Sequence, residues 1–70
     1  MNLLTFEINQ GSGWSRSHSD DVSSDYTIDQ IAMDVRRYAE ATGHAHQAKL
    51  NGVLVAGYDP VGRRAIGRIS

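Results

Sequence analysis

The sequence predicts an α+β domain: one amphipathic helix packed on a three- to four-stranded antiparallel sheet, in the order β-α-β-β-β. Three observations carry that expectation. Tyr26-Thr27-Ile28-Asp29-Gln30-Ile31 spells a capping box, in which Thr27 accepts from the Gln30 amide and Gln30 reaches back to the Thr27 amide. Tyr26 and Ile31 flank the box as a hydrophobic staple, and Gly43 supplies a left-handed stop about four turns later. Asn51-Gly52, set between Gln47-Ala48-Lys49-Leu50 and Val53-Leu54-Val55-Ala56, is a strong short-range signal for a two-residue hairpin.

Taken in order, Leu3 to Ile8 reads as a strand, with Leu4, Phe6 and Ile8 on one face and Leu3, Thr5 and Glu7 on the other. Asn9 to Asp25 reads as a flexible loop. It holds Ser12, Ser15, Ser17, Ser19, Ser23 and Ser24 with Gly11 and Gly13, and shows no apolar period. So long a connection is uncommon in a small domain and is usually functional or disordered; a short strand or turn within Trp14 to Val22 is the alternative.

From Ile28 to about Thr42 the apolar stripe Ile28, Ile31, Ala32, Val35, Tyr38, Ala39 and Thr42 predicts a helix roughly 22 Å long. Asp29, Gln30, Asp34, Arg37 and Glu40 form its other side, and Arg36 stands at ion-pair spacing from Glu40. In the hairpin, Leu50 is expected opposite Val53 and Ala48 opposite Val55, all facing the helix. Leu54, Ala56 and Tyr58 then form an outer apolar face open to a partner or a homodimer. Asp59-Pro60-Val61-Gly62 fits a type I turn that returns Arg64 to Ile69 along Val53 to Tyr58, with Ile66 beside Val55 and Tyr58 beside Arg63.

Seventy residues hold one domain, residues 1–70. With no cysteine there is neither a disulfide nor a thiolate metal site to reinforce a thin core. A net charge of −1 lacks the basic excess of a dedicated nucleic-acid binder. No apolar run nears the ~20 residues of a membrane span, and Met1 to Glu7 lacks the basic start of a signal peptide. A cytoplasmic protein is expected.

Charge is unevenly placed. Asp20, Asp21, Asp25, Asp29 and Asp34 occur between Ser17 and Asp34 with no Lys or Arg among them. Lys49, Arg63, Arg64 and Arg68 dominate the last third, against Asp59. Solvated faces and helix-dipole preferences are the plainer explanation; two opposed patches that steer charged partners are the sharper one. Trp14, the lone tryptophan, either covers one end of the core or anchors an interface. Trp14 with the five aspartates is the expected partner-binding set. Lys49, Tyr58, Arg63, Arg64 and Arg68 are the alternative, a nucleic-acid-binding hairpin.

Catalytic and metal signals are weaker. His44-Ala45-His46 could place two imidazoles on one side of a strand, with His18, Asp20 and Asp21 as further ligands, but no third ligand stands at a fixed spacing and no metal is expected. Ser17-His18-Ser19-Asp20 holds the residue types of a triad without a scaffold to align them. A His18-dependent nuclease or toxin is the enzymatic alternative. Gly11-Ser12-Gly13 lacks the Lys and the helix start of a phosphate loop, and no cofactor is expected.

In layout, this short cysteine-free chain with one helix on a small antiparallel sheet resembles the small inhibitor proteins of phages and mobile elements, including anti-CRISPR proteins. The resemblance implies a non-enzymatic inhibitor acting in the host cytoplasm. It would dock on a large host complex, a nucleoprotein among the candidates, with its aspartates facing the Lys and Arg that otherwise grip a phosphate backbone.

Overall fold

The computed structural model describes residues 2–65. Its elements are β1 (Asn2–Asn9), β2 (Trp14–Val22), α1 (Ile28–Thr42), β3 (Ala45–Leu50), β4 (Val53–Asp59) and β5 (Arg64–Ala65). The α+β class stands, with one helix on a fully antiparallel sheet, but the sheet has five strands in the order β2-β1-β3-β4-β5. The chain order is therefore β-β-α-β-β-β rather than β-α-β-β-β.

The additional strand is β2, which replaces most of the expected loop. It runs back along β1 with Asn2 opposite Val22, Leu4 opposite Asp20 and Phe6 opposite His18. Its pairing comes from the backbone of β1, so serines and aspartates suffice on a strand exposed along most of its length. Gly11 and Gly13 turn the chain with φ of +106° each, and Asn9 Oδ1 accepts from the Gly11 amide at 2.9 Å. A bulge at Ser17 shifts the register, so that Glu7 faces Arg16 while Phe6 faces His18. Arg16 and His18 consequently lie on opposite faces.

Helix α1 begins and ends as its caps dictate. Gln30 donates its amide to Thr27 Oγ1 at 3.2 Å, and the Thr27 amide donates to Gln30 Oε1 at 3.0 Å. Gly43, at φ 74°, donates its amide to the Ala39 carbonyl at 2.8 Å. Ile31, Val35 and Ala39 follow one another at four-residue spacing and are wholly buried. Ile28 and Tyr38, at the margins of the stripe, are each 40% exposed. The helix lies chiefly on β4 and β3, and Leu4, Phe6, Ala48, Val55 and Ala56 complete the core beneath it.

The β3–β4 hairpin turns at Asn51 (φ 52°) and Gly52 (φ 83°), the left-handed pair of a type I′ turn. Leu50 faces Val53 as expected, but Ala48 faces Ala56 rather than Val55, because a bulge inserts Val55. That bulge turns Val55 and Ala56 into the core together and brings Tyr58 to the helix side. The expected outer apolar face thus loses Ala56 and Tyr58 and retains Leu54. The second connection is two residues longer than a plain type I turn, with Pro60, Val61, Gly62 and Arg63 between the paired Asp59 and Arg64. Asp59 pairs with Arg64 and Tyr58 with Ala65 rather than with Arg63, which takes φ 52° at the end of the loop. The expected contacts of Ile66, Arg68 and Ile69 lie outside the described residues.

Candidate functional site

Antiparallel topology sets the end of β2, the following turn and the start of α1 at the same end of the molecule. This gathers Asp20, Asp21, Asp25 and Asp29. Asp20 lies on the helix side of β2, opposite Leu4, and Asp21 on the outer side, opposite Leu3. Asp25 stands in the turn, and Asp29 in the first turn of α1, where a negative charge favours the helix dipole. Asp34 is one turn further along and accepts a hydrogen bond from the Tyr26 hydroxyl. Trp14 is not part of this cluster. It starts β2 opposite Asn9, roughly 20 Å from Asp21 at ordinary strand rise, and is 39% exposed.

The Tyr26–Asp34 bond has a measurable consequence. Donation to the carboxylate, then burial and the negative charge of Asp34, push the Tyr26 phenol up from 10.0 to about 12. A raised folded-state value favours the protonated phenol. Its contribution is therefore complete below about pH 10 and is lost as pH rises toward 12. Tyr26→Phe should lower stability at neutral pH by about 1 kcal/mol and flatten the decline across that alkaline window. Urea midpoints at neutral and alkaline pH measure both, and an undiminished alkaline decline in the variant would refute the assignment.

β2 also builds a feature that sequence reasoning missed. His18 stacks on Phe6 with ring centroids 4.6 Å apart, Tyr38 meets both rings edge-on at 5.3 Å, and His46 lies 6.2 Å beyond Tyr38. No local pattern announces this group, because it depends on the β1–β2 register. Ser17 Oγ lies 3.4 Å from His18 Nδ1, and Asp20 Oδ2 lies 4.0 Å from Nε2. The second distance exceeds a hydrogen bond, and stacking holds the His18 ring against Phe6, so the trio lacks the alignment of a triad. His46 is buried and donates Nδ1–H to the His44 carbonyl at 3.0 Å, while His44 is exposed. Among the described residues no three His, Cys, Asp or Glu side chains converge as a metal site would require.

The basic residues divide between the two sides of the sheet. Lys49 lies on the outer side, its Nζ 3.4 Å from Glu7 Oε1, and Gln47 Nε2 donates to the same oxygen at 2.6 Å. Arg64 pairs with Asp59 on that side. Tyr58 and Arg63 instead meet Arg36 of α1 around a groove of about 290 Å³, floored by Ala32, Ala56, Gly57 and Ala65. The Arg36 guanidinium lies 5.2 Å from the centre of the Tyr58 ring and its Nε 3.6 Å from Glu40 Oε2. Arg36 could not be assigned to this group from sequence, since it joins it only where α1 crosses β4. In comparison with known proteins, no family model, no curated protein and no solved structure matches the chain.

Proposed function

We propose that this protein is a non-enzymatic binding module, an inhibitor that docks on a larger host complex as its anti-CRISPR-like layout implies. The supporting observation is the acidic end of β2. Asp20, Asp21, Asp25 and Asp29 adjoin a nine-residue edge strand whose outer edge pairs with no strand among the described residues. An unpaired edge offers main-chain donors and acceptors to a partner. The aspartates beside it match a surface rich in Lys and Arg, such as one that holds a nucleic-acid backbone in a nucleoprotein complex. Asp34 extends the acidic side along α1, and Trp14 would anchor the far end of the same strand. The host cytoplasm is the compartment this reading assigns.

Capture from a host lysate tests it, comparing wild type with a Lys-reversed variant (Asp20→Lys, Asp21→Lys, Asp25→Lys) and an Arg63→Ala, Arg64→Ala variant. All three must give the same circular dichroism. The reversed variant should lose the partner, with slower association and reduced salt dependence, while the arginine variant keeps it. Loss in the arginine variant with retention in the reversed one would overturn the proposal.

A further inference from the structure

We infer that the groove between α1 and the β4–β5 hairpin binds a nucleotide, its phosphate held by Arg36 and Arg63 and its base or sugar lying on the Tyr58 wall and the Ala–Gly floor. The groove lies along the β4–β5 side of the sheet, remote from the β2 edge, so this inference is independent of the protein-docking reading.

Two guanidiniums reach the groove from different elements. Arg36 comes from the helix, and Arg63 from a loop position with left-handed backbone. For a residue with a Cβ that conformation is costly, and here it accompanies a cation at the groove wall. Among the described residues no carboxylate forms an ion pair with Arg63. Arg36 is shared between Tyr58 and Glu40, and Glu40 lines the adjoining part of the groove with Pro60. Planar guanidiniums match phosphate oxygens in a bidentate way that a lysine would not. The residues beside them, Ala32, Ala56, Gly57 and Ala65, are small, leaving a recess of about 290 Å³ next to an aromatic ring. Cationic walls around such a recess suit a phosphate with a planar base attached, better than a carboxylate on a flexible side chain.

The Glu40 carboxylate gives the inference its sharpest consequence, because it competes with a phosphate for Arg36. Fluorescence anisotropy of a labelled oligothymidylate supplies the measurement, with thymidine monophosphate and inorganic phosphate as competitors and a labelled polyglutamate peptide as the contrasting anion. Arg63→Gly removes the guanidinium while suiting the left-handed backbone, so loss of the turn cannot explain its effect. Arg63→Gly and Arg36→Ala should each weaken oligothymidylate binding about tenfold, and each should reduce the slope of log K on log salt by about one. Glu40→Gln should tighten it. Displacement by thymidine monophosphate at its own binding concentration would support a free nucleotide as ligand, whereas displacement only by unlabelled oligothymidylate would support a single strand. Unchanged affinity in both arginine variants, absence of oligothymidylate binding, or preference for polyglutamate would overturn the inference.

Discussion

Ile31→Ala should destabilise the fold by roughly 2–5 kcal/mol, the usual cost of emptying a buried aliphatic site. Ile31 has no exposed surface and sits beside Val35 over Leu4, Phe6, Ala48, Val55 and Ala56. Those side chains are fixed by strand pairing and by the caps of α1, which limits collapse into the space left behind. Domains of this size are commonly stable by only about 5–15 kcal/mol in total, so the loss takes a large fraction. Ile28→Ala is the internal control: Ile28 is 40% exposed and should cost well under half as much. Urea unfolding decides the matter. Equal losses at the two positions would mean that the buried stripe of the helix is misassigned.

Gly52→Val should be the most damaging turn substitution, with a loss of about 2 kcal/mol. A Cβ at Gly52 would meet nothing within 4 Å, so crowding contributes nothing and the cost is that of the backbone. At φ 83° a β-branched residue is far from its favoured conformations. The turn also reaches beyond the hairpin. Asn51 Oδ1 accepts from the Leu3 amide at 2.9 Å, the Asn51 amide donates to the Leu3 carbonyl at 2.8 Å, and Asn51 Nδ2 donates to Asn2 Oδ1 at 3.0 Å. A distorted turn therefore loosens the start of β1. Gly52→Asn should be much milder, because Asn tolerates the left-handed region. Native stability in the valine variant would contradict a type I′ turn here.

How much was legible in the sequence depends on whether the controlling interactions were local. The capping box, the Gly43 stop and the Asn51-Gly52 turn are each encoded within a few residues, and all three have the expected form. Strand β2 was legible only as the alternative to a loop, a short strand or turn within Trp14 to Val22. With most of its length exposed, Trp-Ser-Arg-Ser-His-Ser-Asp-Asp-Val shows no alternation, and it becomes a strand only because β1 lies beside it. The bulges at Ser17 and Val55 follow the same logic. Each depends on a partner strand, and each reverses which face the following residues occupy. That is why Ala56 and Tyr58 belong to the helix side and why His18 joins Phe6 and Tyr38. The candidate sites divide similarly: Asp25 and Asp29 are near neighbours in sequence, whereas Arg36 and Arg63 come together only through the packing of α1 on β4.

Amide hydrogen exchange of the free protein and of its captured complex shows whether the acidic end and open edge of β2 receive a protein partner. New protection is expected across residues 14–22 and the turn to residue 29, with little change in residues 58–65. Protection confined to β5 and the Pro60–Arg63 loop, with β2 exchanging as in the free protein, would contradict docking at β2.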